Sequence, residues 1–157
     1  MKHTVQFTTS YSQFYIYDRD SPGATDLSEF WSGSAFDDKL AIEDGILGVS
    51  IGTYSYVNVT ITLLEQRNEV VSFDACDHAV EAILEIKSGT LQILDCPSST
   101  LEYKMSVSPG VYRVRVGSLG LDSIVDSDEE ADDYYTIELW PEPPSPRQVL
   151  KRYACNW

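Results

Sequence analysis

The residues of this chain best suited to do chemistry lie between positions 122 and 133, where seven of twelve side chains are carboxylates. We call this stretch the acidic segment, and its carboxylates are Asp122, Asp126, Asp128, Glu129, Glu130, Asp132 and Asp133. No Lys or Arg interrupts it. Carboxylates at this density can coordinate a cation, attract a basic partner, or keep a loop in solvent.

The whole chain shares this excess of negative charge. It has 25 acidic and 11 basic residues among 157, which gives a formal net charge of -14 at pH 7. A field of this sign repels nucleic acid and anionic membranes, and it steers basic proteins toward the surface. We therefore expect a basic protein as partner, and neither nucleic acid nor a membrane.

Other acidic clusters could join the acidic segment if the fold brings their loops together. One cluster spans residues 18–29, and the other contains Asp37, Asp38, Glu43 and Asp44. A merged surface would imitate the anionic face of a nucleic acid and would enter a basic catalytic cleft with fast, salt-sensitive association. The predicted partner-binding residues are the seven carboxylates of the acidic segment together with Asp37, Asp38, Glu43 and Asp44.

The sequence contains few of the residues and motifs that enzymes usually use for catalysis. His3 and His78 are the only imidazoles, and there is no Gly-x-Ser-x-Gly nucleophile motif. Carboxylates are so abundant that no pair stands out as the acid and nucleophile of a glycosidase. We predict no catalytic residue and no enzymatic activity.

Metal and cofactor patterns are incomplete as well. Cys76, Cys96 and Cys155 are too widely spaced for a disulfide framework or a paired zinc site. In the acidic segment, Ala131 and Ile137 stand where an EF-hand loop needs Gly and Glu. We predict no metal site and no cofactor, although an irregular calcium site between loops stays open.

A carbohydrate-binding module is the other open alternative, because aromatic rings on a sheet face can stack on sugars. The tyrosines concerned are Tyr11, Tyr15, Tyr17, Tyr54 and Tyr56. Tyrosines in such positions more often cover a sheet or pack under loops, since they favour strands.

The elements that must position these residues are predicted to be strands. Apolar residues alternate with polar ones at Val57, Val59, Ile61 and Leu63, which is typical of a strand with one buried face. The same alternation appears at 14–16, 47–51, 80–86, 112–116 and 135–139. Turn sequences such as Ser88-Gly89 and Ser108-Pro109-Gly110 separate the strands.

These patterns predict an all-β protein with an antiparallel, jelly-roll-like β-sandwich of at least six strands. Residues 26–40 allow at most one short helix, because Gly33 interrupts them. The residues expected between the sheets are Val59, Ile61, Val114, Val116, Ile137 and Leu139. Arg113 and Arg115 have the opposite parity and should pair across strands with Glu81, Glu85 or Glu138.

The domain is predicted to span residues 1–146. Four of the six residues from Pro141 to Pro146 are prolines, which cannot donate to a central strand. Residues 147–157 are therefore expected to form a C-terminal tail. The first residues contain no apolar run like that of a signal peptide, and we expect a cytoplasmic protein.

The chain also resembles a known family in its strand and turn sequences. The matching stretches are Ser10-Tyr11-Ser12-Gln13-Phe14-Tyr15-Ile16, Asp44-Gly45-Ile46, Pro109-Gly110-Val111-Tyr112-Arg113-Val114 and Asp133-Tyr134-Tyr135-Thr136-Ile137. In this order, over residues 9–140, they resemble the competence protein J family. The resemblance implies an intracellular bacterial protein that inhibits a DNA-entry nuclease, and it implies no particular contact residue.

Charge, missing catalytic residues and resemblance together predict a non-enzymatic acidic protein that inhibits a basic partner, a nuclease or a toxin. The alternative is a β-sandwich module that binds calcium or carbohydrate.

Overall fold

A computed structural model describes residues 2–26, 28–69 and 72–153. Eleven strands are found in these ranges. They are β1 (Lys2–Thr8), β2 (Gln13–Asp18), β3 (Leu40–Glu43), β4 (Ile46–Ser50), β5 (Tyr56–Leu63), β6 (His78–Ile86), β7 (Thr90–Leu94), β8 (Leu101–Ser106), β9 (Gly110–Leu119), β10 (Tyr134–Pro141) and β11 (Gln148–Lys151).

The helical content of the described residues is small. Helix α1 (Ala35–Asp38) is a single turn, and a 3-10 turn spans Leu121–Ser123. Helix α1 follows Gly33, which adopts a positive φ of 61°. No described helix is long and apolar enough to cross a membrane.

The strands form two sheets, with the orders β1-β5-β10-β9-β6-β11 and β3-β4-β2-β7-β8. Neighbouring strands are antiparallel apart from β5 and β10, which run parallel. The predicted β-sandwich is confirmed, with more strands than the clear alternation patterns indicated.

The core lies between the sheets and contains all six residues predicted for it. Val59, Ile61, Val114, Val116, Ile137 and Leu139 are buried in one apolar cluster. The facing sheet contributes Phe14 and Ile16 to the same cluster. Alternation along each strand therefore identified the inward face correctly, because successive side chains point to opposite sides of a sheet.

The outer face of the six-stranded sheet carries a second buried layer that is ionic. Glu81 on β6 is fully buried and accepts hydrogen bonds from Arg113 Nε at 3.0 Å and Arg115 Nε at 2.8 Å. Arg67 Nη1 lies 3.1 Å from both carboxylate oxygens. The expected pairing with Glu81 is confirmed, and Glu138 lies 3.7 Å from Arg115 Nη1, whereas Glu85 is exposed.

This face is buried because two segments cover it. Arg67, in the connection after β5, pairs with Glu142 at 3.0 Å and stacks 4.9 Å from the ring centroid of Trp140. Arg113 Nη1 donates to the carbonyl of Pro146 at 2.9 Å and to that of Ser145 at 3.2 Å. Side chains of the sheet thus hold a proline-rich segment that has few amide donors of its own.

The chain after the proline-rich segment departs from the predicted tail. Residues 148–151 form β11, in which Gln148 pairs with Glu81 and Val149 with Val80. No proline follows Pro146 in this stretch, so residues 148–151 have backbone N–H groups and can join the sheet as an edge strand. Residues 154–157, which include Cys155, lie outside the described residues.

Replacing Glu81 by Gln should lower the free energy of unfolding by about 3 kcal/mol, because removing one partner leaves buried guanidinium groups without their counter-charge. Burial alone would raise the pKa of Glu81, but hydrogen bonds from Arg113 and Arg115 lower it, so the carboxylate stays charged in the folded protein. Urea denaturation measures the loss.

The matched control is Glu85→Gln, an exposed position on the same strand, which should change stability by less than about 0.5 kcal/mol. Equal losses in both variants would contradict the role of the ionic layer.

Candidate functional site

The candidate site lies at one end of the sandwich, where the loops after β1, β4 and β9 meet. The backbone N–H of Ser12 donates to the carbonyl of Tyr54 at 3.1 Å, and the N–H of Tyr54 donates to the carbonyl of Ser127 at 2.5 Å. These bonds fix three loops against one another. We call this region the aromatic end.

Four aromatic side chains define this end, and we call them the aromatic cluster. Tyr11, Phe36 and Tyr54 are 61%, 65% and 41% exposed. Tyr11 packs edge-on against Tyr54 with ring centroids 6.0 Å apart, and Trp31 stacks on Phe36 at 5.2 Å. Large apolar rings left in solvent mark interaction surfaces more often than isolated exposed residues do.

A pocket of about 320 Å³ opens between these rings. Its lining residues are Tyr11, Ser12, Gln13, Trp31, Phe36 and Ser50. Two of the lining residues carry a buried polar atom that has no hydrogen-bond partner among the described residues, Gln13 Oε1 and Trp31 Nε1. Such atoms are rare in folded proteins and call for a physical explanation.

The acidic segment borders the aromatic cluster through the bond between Tyr54 and Ser127. Most of its carboxylates are exposed, namely Asp122, Asp126, Asp128, Glu129, Glu130 and Asp132. Asp122 Oδ1 accepts a hydrogen bond from the Tyr153 hydroxyl at 2.5 Å. The structure therefore places a largely solvent-facing anionic loop beside exposed aromatic rings.

Asp133 is the buried exception in the acidic segment. Its Oδ2 accepts a hydrogen bond from the Tyr135 hydroxyl at 2.7 Å, and that hydroxyl accepts one from Gly52 N–H at 2.8 Å. Burial raises the pKa of Asp133, although the bond from Tyr135 lowers it in part. Asp133 supports the loop from beneath and has no surface to offer to a partner.

Asp37 and Asp38 also lie at the aromatic end, but only Asp37 is exposed. The Asp38 carboxylate pairs with Arg147 Nη1 at 2.9 Å and with Arg152 Nη2 at 2.7 Å. Burial alone would raise the pKa of Asp38, and the two arginine hydrogen bonds overcome that effect and lower it. This carboxylate fastens residues 147–153, which we call the C-terminal segment, to α1.

Glu43 and Asp44 are separated from the other predicted acids. Leu40 pairs with Val49 and Glu43 pairs with Ile46, so β3 leads from the aromatic end to the opposite end of the sheet. Asp18, at that opposite end, is buried and accepts hydrogen bonds from Lys87 and Ser88. The structure thus brings the acidic segment and Asp37 together and leaves Glu43 and Asp44 elsewhere.

His78 closes the contact between the C-terminal segment and the aromatic end. Its Nδ1 accepts a hydrogen bond from Tyr153 N–H at 3.1 Å. The Nε2 atom lies 2.7 Å from the Asp38 carbonyl, to which it must therefore donate. Burial, aided by the positive charges of Lys39 and Arg152, lowers the pKa of His78, so the ring is neutral here.

The sequence gives no sign of a functional role for Trp31 and Phe36, because both fall in the range 26–40, where it indicates only a possible short helix. Tyr11 and Tyr54 had been considered as one sugar-stacking face together with Tyr15, but Tyr15 is buried. Irregular loops bring the cluster together, so no spacing in the sequence indicates it. Among the described ranges, no group of three or more His, Cys, Asp or Glu side chains is arranged to hold a metal.

Comparison with known proteins supports the fold. No protein-family model matches the chain, and no curated protein does. Two solved structures resemble it. One is ComJ from Bacillus subtilis, described as an inhibitor of the DNA-degrading activity of NucA, with a TM-score of 0.64 at 16% identity over 89% of this chain and 96% of that one. The other is the product of crocagin biosynthetic gene J, with a TM-score of 0.58 at 19% identity over 91% and 99%.

At these identities the likeness shows a shared fold. It confirms that the chain has the fold implied by its resemblance to the competence protein J family.

The neutral state of His78 predicts a specific pH dependence of stability. In the unfolded chain the His78 ring takes up a proton near pH 6.5. In the folded chain its pKa is lowered, so the ring is protonated only at a lower pH. The His78 contribution is therefore complete above about pH 6.5 and is lost as the pH falls through the lowered pKa, by up to about 1.4 kcal/mol per pH unit. Thermal unfolding between pH 5 and 8 measures this. The variant His78→Gln should flatten the curve. A wild-type curve that already lacks this slope would refute the assignment.

Proposed function

We propose that this protein is a non-enzymatic inhibitor that binds a basic protein, a nuclease or a toxin, through the aromatic end. The observation that carries the proposal is the contact between an exposed aromatic cluster and a solvent-facing acidic segment. The two features complement each other, because the rings would provide contact area and the carboxylates would speed association.

The aromatic rings would supply contact area and slow dissociation. Binding hot spots are enriched in Trp and Tyr, and they lie near the centre of an interface with a polar rim around them. The rings of Tyr11, Phe36 and Tyr54 are exposed before any partner binds, so little rearrangement is needed to use them.

The acidic segment would supply speed and selectivity. Six exposed carboxylates together with Asp37 concentrate negative potential at one end of a chain whose net charge is -14. Such a field accelerates encounter with a basic cleft and disfavours acidic competitors. A nuclease fits this chemistry, because its cleft must itself be positive to hold DNA.

The fold likeness is consistent with this reading, since one of the similar structures is a nuclease inhibitor. Folds alone do not transmit function, so the surface described above remains the main support. Two described cysteines, Cys76 and Cys96, are free thiols, which fits a reducing compartment such as the cytoplasm.

The first experiment tests inhibition directly. Proteins captured by the immobilised chain at low salt from an extract of its own source are fractionated, and their degradation of duplex DNA is measured with and without the chain. We expect a basic nuclease whose activity is abolished by an equimolar amount of the chain. Captured proteins without DNA-degrading activity, or with activity that the chain leaves intact, would refute nuclease inhibition.

The second experiment tests where the partner binds. Five exposed acids are neutralised together to Asn or Gln, and these are Asp126, Asp128, Glu129, Glu130 and Asp132. Asp133 is kept because it is buried against Tyr135. Because long-range steering depends on local charge, the association rate for the captured partner should fall about tenfold or more at low salt, while dissociation changes little.

The matched control neutralises five acids away from the aromatic end. They are Asp20, Glu43, Asp44, Glu65 and Glu85. Both variants lose the same net charge, so only a difference between their association rates locates the interface. Equal slowing would mean that the acidic segment is not the facing surface, and greater slowing in the control would place the partner on the side of Glu43 and Asp44.

A further inference from the structure

We infer that the pocket in the aromatic end receives an arginine side chain of the partner as its anchor. The inference rests on the proposed function, because it names the group that a basic partner would insert there. It is argued from the walls of the pocket, its unpaired polar atoms and the charge around it.

The walls suit a flat cation. Tyr11, Trp31 and Phe36 present aromatic rings to a space of about 320 Å³. A guanidinium stacks on aromatic faces and is more weakly hydrated than an ammonium, so it enters such a space at lower desolvation cost than lysine. Phe36 and Tyr11 are more than half exposed, and covering their faces adds apolar burial.

The protein already binds guanidinium groups in this manner elsewhere. Arg67 and Arg115 lie 4.9 Å and 5.1 Å from the ring centroid of Trp140, and both are also hydrogen-bonded to Glu81. An aromatic face combined with an oxygen acceptor is therefore a stable setting for arginine in this fold. The pocket also has aromatic faces and an oxygen acceptor, Gln13 Oε1, but none of its lining residues is an arginine.

Two unpaired polar atoms define what the occupant must carry. Gln13 Oε1 needs a donor, and a guanidinium has five. Trp31 Nε1 needs an acceptor, which the main-chain carbonyl of an arginine-bearing segment can supply. Both atoms are buried in the free protein, so the side chains around them must rearrange locally when the segment enters.

The surrounding charge selects a cation over a neutral ligand. None of the six lining residues is basic. Asp37 follows Phe36 in the chain, and the acidic segment contacts Tyr54 beside Tyr11. Two basic residues, Lys39 and Arg152, lie beyond Phe36 in the adjoining pocket, where Arg152 is paired with Asp38. A sugar would gain the stacking but nothing from this field.

The test is an NMR titration of the uniformly 15N-labelled full chain, which follows the indole N–H resonance of Trp31. The variant Trp31→Phe identifies that resonance among the three tryptophans of the chain. The probes are N-acetyl-arginine methylamide, the neutral isostere N-acetyl-citrulline methylamide, N-acetyl-lysine methylamide and methyl glucoside. We expect saturable shifts with arginine in the millimolar range, and at least tenfold weaker binding of the other three.

Variants localise the effect. Phe36→Ala should weaken arginine binding about three- to fivefold, as expected for the loss of one partly exposed cation–π wall. Tyr134→Ala removes a ring that is 45% exposed but does not line this pocket, and it should bind arginine as the wild type does. Resonances of buried core residues report whether each variant is folded.

The inference is overturned if arginine causes no saturable shift at Trp31, or if citrulline or lysine binds as tightly. Binding of methyl glucoside in place of arginine would also overturn it and would make the pocket a carbohydrate site. None of these measurements uses a nuclease. A chain that abolishes nuclease activity but ignores arginine would therefore sink this inference and leave the proposed function standing.

Discussion

The carboxylate of Glu81 is the contact on which much of this structure depends. It lies fully buried on the outer face of the six-stranded sheet and holds Arg67, Arg113 and Arg115. A buried charge of this kind is costly unless its partners satisfy it, so the three arginines and their covering segments must be in place together. Part of the outer face of the sheet is therefore buried like the core.

The consequences of this layer reach the aromatic end through the C-terminal segment. Arg113 holds the carbonyls that precede β11, and β11 then carries the chain along β6. Beyond it, Arg152 pairs with Asp38, and Tyr153 contacts His78 and Asp122. The segment therefore braces α1 and the start of the acidic segment, which are two of the parts that surround the aromatic cluster.

The acidic residues of this chain divide into two groups with different roles. Glu81, Asp18, Asp38 and Asp133 are buried and hydrogen-bonded, and each fixes one segment to another. Most of the exposed acids of the acidic segment lack such a contact and shape the field that a partner meets, although Asp122 is held by the Tyr153 hydroxyl. The large net charge is thus compatible with a stable fold, because the acids that lie in low dielectric are those with donors around them.

The sequence by itself determined the sheets, since alternation depends only on the geometry of a strand. It identified the inward faces of β5, β9 and β10, and it gave Glu81 as one of three possible partners of Arg113 and Arg115. It indicated none of the four edge strands β1, β3, β8 and β11, because edge strands carry weak or one-sided alternation and gain their stability from a neighbour. Tertiary structure alone decided which acids are buried and that Glu43 lies far from Asp37. It also decided that Tyr11, Trp31, Phe36 and Tyr54 come together, since they lie in three connections between strands, one of which contains α1, and the approach of these connections leaves no periodic trace in the chain.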